Sequence, residues 1–252
     1  MFNANATPKH KPLPAKSRLW KWGHSLKANS GGSTVMECLP TFSLLLLGHA
    51  NSGKQSLFER ITTNAFHTTD PAATSTTTRD TNILTGVRSM QLGTGKYNTT
   101  CWCEVLCTKA NSFDPDRYMM LEHLWRTTRG CILILDAVKC FTEGSMEQQV
   151  NGMLAHCKRL EREVLGVETQ IMIVVTKCDL LYQECGLTPK EVFGNVLQNY
   201  SGMDYLYTSS KVWSNTRQSN HGMGGAAWVN PGEVLKILMR KMLEWHLNFE
   251  KS

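Results

Sequence analysis

A glycine-rich segment, Gly48-His-Ala-Asn-Ser-Gly53-Lys54, lies between an apolar run and a helical pattern. A glycine at each end lets the backbone turn tightly enough for its N–H groups to point inward, and the following helix adds the partial positive charge of its N-terminus. Such a loop binds phosphate, and its lysine reaches the outer phosphates of a nucleotide. The predicted phosphate-binding residues are Gly48, Asn51, Ser52, Gly53, Lys54, Gln55 and Ser56.

The residue after the lysine departs from the usual phosphate-loop pattern. A Ser or Thr normally stands there because its hydroxyl ligates Mg²⁺, but this chain has Gln55. Ser56 is one residue further along the helix, points about 100° away and does not simply substitute. We therefore expect any Mg²⁺ to be weakly held.

Two further motifs each follow a short apolar run that predicts a strand. Thr176-Lys177-Cys178-Asp179 follows 170–175, and Thr208-Ser209-Ser210-Lys211 follows 205–207. Together with the glycine-rich segment, these motifs resemble those of the P-loop GTPases of the Ras superfamily, over about residues 40–250. The resemblance implies that the ligand is GTP or GDP and that Asp179 accepts hydrogen bonds from N1 and N2 of guanine. The guanine-binding residues it implies are Thr176, Lys177, Asp179, Ser209, Ser210 and Lys211.

The branch of the superfamily stays open. The stretch 126–137 is most similar to Rab-type proteins, whereas Thr76-Thr-Thr-Arg-Asp80 is similar to the second motif of the Era and TrmE group. The second similarity implies that Thr78 contacts Mg²⁺ and senses the γ-phosphate. Thr78 is therefore a candidate for both the metal site and catalysis.

The superfamily's DxxGQ motif, which follows the third strand and supports hydrolysis, is degenerate in this chain. By position, Cys107 replaces the aspartate, Ala110 the glycine and Asn111 the glutamine. Glu104 faces the opposite side of the sheet from Cys107 because successive strand residues alternate. Phosphoryl transfer depends on positioning and charge neutralisation, so we expect weak or lost hydrolysis, with Asn111 as a remaining catalytic candidate.

Alternating apolar runs and amphipathic stretches predict the elements that would position these motifs. Strands separated by helical patterns indicate βαβ units. A hairpin within 82–107, with Gly93 and Gly95 in its middle, adds an antiparallel edge. We predict an α/β, three-layer domain with a mostly parallel six-stranded sheet. The resemblance implies that this domain is a G domain. The predicted strands are 42–47, 131–135, 171–175 and 205–207, and the predicted helices are 53–63, 145–165, 189–200 and 233–249.

The first 36 residues differ in charge from the rest of the chain. They hold six basic and no acidic residues, whereas the remaining 21 basic residues equal the 21 acidic ones. Pro8, Pro12 and Pro14 resist packing, so we expect a flexible basic arm at 1–36 and a G domain at 37–252 with a loop insertion near 212–230. A solvated tail, a mitochondrial targeting segment and a helix that binds a membrane surface or a partner remain open for the arm.

Composition excludes several classes of protein. The apolar runs are far shorter than the roughly 20 residues that cross a bilayer. Nine cysteines in 252 residues predict a reduced compartment, and Cys101, Cys103 and Cys107 are interpreted as one buried strand face instead of a zinc site. No cysteine lies near the C-terminus and Phe2 follows Met1, so we expect no lipid anchor.

Three functional hypotheses follow from the motifs and the resemblance. The first is a guanine-nucleotide-binding switch or scaffold with weak or lost hydrolysis, read by effector or regulatory proteins. The second is a nucleotide-free structural or assembly subunit derived from a P-loop protein, and the third is an active GTPase of the Era and TrmE type. We expect a cytoplasmic location, with membrane-peripheral and mitochondrial ones as alternatives. The neutral body disfavours nucleic acid as a partner.

Overall fold

The computed structural model describes residues 41–63, 83–94, 97–109, 111–113, 118–165, 169–200, 202–210 and 229–249. These residues belong to one unit, Thr41–Ser252, which is distinct from Met1–Pro40. The predicted arm lies outside the described residues, as do Thr78, Ala110, Lys211 and nearly all of the predicted insertion.

Six strands form a single sheet in the order β2-β3-β1-β4-β5-β6. Strand β1 pairs in parallel with β3 and β4, and β5 and β6 continue the parallel arrangement. Strand β2 pairs antiparallel with β3 at the edge. The predicted mostly parallel sheet with one antiparallel edge strand is confirmed. The strands are β1 Thr41–Gly48, β2 Ile83–Thr94, β3 Tyr97–Thr108, β4 Gly130–Asp136, β5 Gln170–Thr176 and β6 Asp204–Tyr207.

Seven helices connect or follow the strands in the described part of the chain. Helix α4 runs directly into one π-helical turn, Glu161–Leu165, so the predicted helix 145–165 is present with a different last turn. Three helices, α2, α3 and α5, were not predicted. The helices are α1 Lys54–Thr63, α2 Tyr118–Thr127, α3 Ala137–Glu143, α4 Met146–Leu160, α5 Cys178–Cys185, α6 Pro189–Gln198 and α7 Pro231–Phe249.

Helices cover both faces of the sheet, which is compatible with three layers. On one face, Leu45 and Leu133 share a core cluster with Val150 and Leu154 of α4. On the other, a side chain at Gly130 would meet Met242 of α7. The central strand β4 is buried along its whole length. A parallel strand buried on both faces needs a continuous apolar run, and this explains why β1, β4 and β5 were visible in the sequence.

The hairpin of β2 and β3 has one buried face. Cys101, Cys103 and Cys107 are fully buried there, as predicted, and burial raises the pKa of Cys101 to about 11 and of Cys107 to about 12. Glu104 lies on the other face, where Ser43 Oγ donates a hydrogen bond of 3.2 Å to its Oε2. The thiols therefore serve as small apolar side chains. None of the helices that the structure describes is long and apolar enough to span a bilayer.

Candidate functional site

The segment between β1 and α1 forms a tight loop. Two of its residues are left-handed, Asn51 at φ 60° and Gly53 at φ 86°. Glycine adopts that conformation without strain, and Asn tolerates it better than most residues. At Gly48, a Cβ atom would lie 2.6 Å from the carbonyl oxygen of Ile134, so only glycine fits beside β4. The two glycines that the sequence singled out are thus required by backbone conformation and by close packing.

The N–H groups of this loop are available to an acceptor. Ser52 N donates to His49 O at 3.3 Å, and the first bond from α1 back to the loop runs from Leu57 N to Gly53 O at 2.9 Å. No other backbone bond from an N–H of residues 50–56 into the loop is present among the described residues. The first N–H groups of a helix have no partner within it, so this end of α1 attracts anions.

Lys54 lies folded against the loop and is only 4% exposed. Its Nζ donates to Gly48 O at 2.8 Å and to His49 O at 2.6 Å. Burial lowers the pKa of Lys54 to about 8. Its ammonium group is therefore poorly solvated and would be stabilised by an anion placed beside the loop.

Thr176, the last residue of β5, connects the loop to the centre of the sheet. Its Oγ1 lies 2.6 Å from Ser52 O and 2.9 Å from Leu135 O, and both contacts are buried. A Cβ on Gly53 would lie 3.0 Å from the same hydroxyl. The first residue of the TKCD motif therefore fixes the position of the loop relative to β4 and β5.

Lys177 adopts a left-handed conformation, φ 57°, and turns the chain from β5 into α5. Its Nζ lies 2.5 Å from Oδ2 of Asp136, the last residue of β4. The other carboxylate oxygen of Asp136 accepts a hydrogen bond from Lys139 N at 3.1 Å and caps α3. Asp136 was not among the predicted site residues.

Asp179 lies in the first turn of α5 and is 3% exposed. Its Oδ2 is buried and has no hydrogen-bond partner in the described part of the protein, and the same holds for Ser52 Oγ. A buried carboxylate oxygen without a donor is costly, and such groups concentrate at functional sites. The helix N-terminus offsets part of this cost because its dipole favours an anion.

The third motif lies beside the second. Thr208 N donates to Val175 O at 2.8 Å, and Cys178 N donates to Thr208 O at 3.4 Å. Arg60 of α1 donates from Nε to Ser210 O at 3.0 Å, which ties this segment to the helix that follows the phosphate loop. Ser209 and Ser210 are both buried. The three motifs thus meet at the carboxyl edge of the sheet, where open α/β sheets bind ligands.

The segment after β3 lies across the glycine-rich loop. Ser112 N donates to Gly48 O at 3.0 Å, and Gly48 N donates to Ser112 Oγ at 3.1 Å. The Ser112 hydroxyl is also 2.5 Å from Thr108 Oγ1. Sequence reasoning missed Ser112 because its partner is a backbone group 64 residues away.

Asn111, the remaining catalytic candidate, is engaged locally. Its Oδ1 accepts a hydrogen bond from Phe113 N at 3.2 Å. The pKa of His49 is lowered first by burial and then by the charges of Lys139 and Lys54, while a hydrogen bond with Asn111 opposes these effects. The side chain of Asn111 therefore contacts the loop through His49.

The described residues do not form a magnesium shell. The Gln55 amide donates to Glu59 Oε1 at 3.3 Å, along its own helix, and Cys107 is an uncharged thiol at pH 7. No group of three or more His, Cys, Asp or Glu side chains within the described ranges is arranged to hold a metal ion. Mg²⁺ prefers oxygen ligands in octahedral geometry. At the two usual metal-binding positions, this chain has Gln55 instead of a hydroxyl residue and Cys107 instead of an aspartate.

No protein-family model matches the chain, and no curated protein is significantly similar to it.

Proposed function

We propose that the chain is a G domain of the P-loop GTPase type that binds GDP or GTP and acts as a switch or scaffold with weak or lost hydrolysis. One observation carries the proposal. Thr176 joins the phosphate loop to the segment that bears Asp179, whose buried carboxylate has an oxygen without a donor. A single ligand that lies along this edge of the sheet can meet a cationic loop at one end and an acceptor at the other.

The phosphate end is supported by charge and by backbone geometry. The N-terminus of α1, the loop N–H groups and the Lys54 ammonium all favour an anion, and the buried position of Lys54 strengthens each interaction. A diphosphate would also replace the two loop carbonyls as the partner of Lys54. The loop therefore suits a phosphate more than a neutral ligand.

The base end is supported by the acceptor at Asp179. Guanine presents two donors, N1–H and the N2 amino group, on one edge, and a carboxylate can accept both. Adenine presents an acceptor at N1, which a carboxylate repels. Asp179 would thus select guanine over adenine. With adenine, the buried carboxylate would be left without its hydrogen bonds, and a site with unpaired buried polar groups rejects such a ligand.

The site offers little for hydrolysis. Neither Gln55 nor Cys107 holds a metal in the usual way, and the Asn111 oxygen is already bonded to Phe113 N. Binding and hydrolysis use partly separate groups, so the loss of one does not remove the other. Partner proteins would then recognise the bound nucleotide, and their interaction would not depend on hydrolysis.

One observation favours the nucleotide-free subunit as a second candidate. Lys54 is satisfied by Gly48 O and His49 O, and both Lys54 and Asp179 are almost fully buried. The protein can therefore enclose both Lys54 and Asp179 with its own atoms. In that case the three motifs serve only to hold the strands together.

Release of nucleotide from the purified protein separates the two candidates. The protein is denatured after extensive desalting, and the supernatant is analysed by anion-exchange chromatography for GDP, GTP, ADP and ATP. We expect guanine nucleotide at a substantial fraction of the protein concentration, or tight binding of added GDP with no measurable binding of ADP. A protein that carries no nucleotide and ignores added GDP supports the second candidate.

Turnover assays address the third hypothesis, the active GTPase of the Era and TrmE type. GTP hydrolysis is followed with Mg²⁺, with K⁺ and with both. We expect only slow release of phosphate. Rapid turnover that depends on K⁺ would identify an active enzyme that uses residues outside the described ranges.

A further inference from the structure

An ion pair links the end of β4 to the segment that follows β5. One of its members, Asp136, lies outside the three motifs. Asp136 and Thr176 are paired in the sheet register, and Lys177 reaches back over this pair to place its Nζ 2.5 Å from Asp136 Oδ2. The contact is partly enclosed, with 12% of the Asp136 side chain and 31% of the Lys177 side chain exposed. The methylene chain of Lys177 consequently spans from β5 to β4 along the edge of the site.

This contact holds the ammonium of Lys177 on Asp136 instead of on the carboxylate of Asp179. Lys177 is the basic residue nearest to Asp179 in the sequence, and its flexible four-carbon stem would let the ammonium take another partner. The structure pairs it with Asp136, and Asp179 Oδ2 has no partner among the described residues. An ammonium paired with Asp179 would compete with the edge of the base for the same carboxylate oxygens.

We propose that Asp136 is a positioning residue for base recognition: it holds Lys177 along the sheet edge and so reserves Asp179 for the guanine edge. The inference rests on the proposed function and deepens it, because it assigns part of the guanine selectivity to a residue outside the three motifs. Asp136 touches no nucleotide in this account and acts through Lys177.

The second role of Asp136 provides a clean variant. Oδ1 accepts from Lys139 N and caps α3, and an asparagine caps a helix equally well. Asp136→Asn therefore keeps the cap and removes the charge that holds Lys177. Glu143→Gln is the matched control, because it removes one negative charge from the exposed end of the same helix, where Glu143 pairs with Lys139 at 3.8 Å.

The experiment measures the dissociation constant of GDP for the full chain after removal of any bound nucleotide. We expect Asp136→Asn to weaken GDP binding about tenfold, the scale of one hydrogen bond to a charged group, while Glu143→Gln binds like the wild type. Asp136→Glu, which keeps the charge, should recover most of the affinity. Thermal unfolding without nucleotide should show only the small loss expected for a partly exposed ion pair in Asp136→Asn, because the cap of α3 is retained.

A double-mutant cycle separates positioning from a structural effect. Lys177→Met keeps an unbranched apolar stem and removes the ammonium, so Asp136→Asn should cause no further loss of affinity in that background. The inference is overturned if Asp136→Asn binds GDP like the wild type, if it causes the same loss in both backgrounds, or if Asp136→Glu is as weak as Asp136→Asn. In those cases wild-type GDP binding still stands, whereas failure of the wild type to bind GDP overturns both this inference and the proposed function.

Discussion

The guanine preference that we propose should change when the carboxylate of Asp179 becomes an amide. With a carboxylate at this position, guanine donates N1–H and N2–H, whereas xanthine places a carbonyl oxygen where guanine has its amino group. In Asp179→Asn, the amide oxygen accepts from N1–H and the amide N–H donates to that carbonyl. We therefore expect the variant to lose GDP and gain xanthosine diphosphate.

The magnitude follows from the two hydrogen bonds to a charged acceptor. Each contributes about 1.5 to 3 kcal/mol. The amide oxygen keeps the bond from N1–H and the bond from the N2 amino group is lost, so GDP binding weakens by about 1.5 to 3 kcal/mol, or roughly 10 to 10² in the dissociation constant. The fold should tolerate the change. Asp179→Asn loses about 0.5 kcal/mol of helix-dipole stabilisation and removes a buried charge with an unpartnered oxygen, two effects of opposite sign.

Isothermal titration calorimetry with GDP, ADP and xanthosine diphosphate measures all three affinities on one sample. Asp204→Asn is the matched control, since Asp204 begins β6 at the far end of the sheet and pairs with Lys241. The reasoning is refuted if Asp179→Asn binds GDP as tightly as the wild type does. It is refuted equally if the wild type shows no preference among the three nucleotides.

Three further variants test the loop. The pKa of Lys54 falls from 10.5 to about 8 on folding, so the unfolded chain binds more protons than the folded protein between these pH values. The free energy of unfolding therefore increases by about 3 kcal/mol as the pH rises through that window. Lys54→Met should remove this rise in urea titrations, and a constant difference from wild type across pH 8 to 10.5 would contradict it. Gly53→Ala should lower the free energy of unfolding by about 1 to 3 kcal/mol, because the φ of Gly53 is 86° and a Cβ there would crowd Thr176 Oγ1. Gly152 has open space around it, so Gly152→Ala should raise the free energy of unfolding by about 1 kcal/mol. The GDP affinity of the wild type should change less than about twofold when EDTA removes Mg²⁺. Gln55→Ser restores a hydroxyl, so the GDP affinity of this variant should depend on Mg²⁺. Equal sensitivity of the wild type and the variant would count against our account of Gln55.

The long elements of the fold were predictable because burial imposes a pattern on the sequence. Strand β4 is buried on both faces and therefore reads as an unbroken apolar run. The short helices were hidden for a related reason. Helix α3 has seven residues and begins immediately after β4, and α5 has eight and begins two residues after β5 ends. A helical period needs about 11 residues to become visible, so such helices merge with the strands before them.

The clustering of the three motifs was also predictable, but their connections were not. Each motif follows a parallel strand, and the carboxyl ends of parallel strands share one edge. Which side chains meet at that edge depends on register and on contacts distant in sequence. Asp136 and Lys177 are 41 residues apart, and Arg60 and Ser210 are 150 apart. An acidic residue at the end of β4 was visible in the sequence, but nothing in its neighbours indicated its partner.

The unpartnered polar atoms constrain the chemistry of any ligand that fits this edge. Ser52 Oγ lies in the phosphate loop and Asp179 Oδ2 lies at the start of α5, on either side of the Thr176 bridge. Leaving such an atom buried without a partner costs about 1 to 3 kcal/mol, which a folded protein recovers when a ligand completes the bond. The carboxylate oxygen requires a donor, whereas the Ser52 hydroxyl can donate or accept. The guanine nucleotide that we propose meets both demands, because its phosphate oxygens can accept from Ser52 Oγ and its N1–H and N2 amino group can donate to the two oxygens of Asp179. Adenine presents an acceptor at N1 and so cannot donate to both oxygens from one edge.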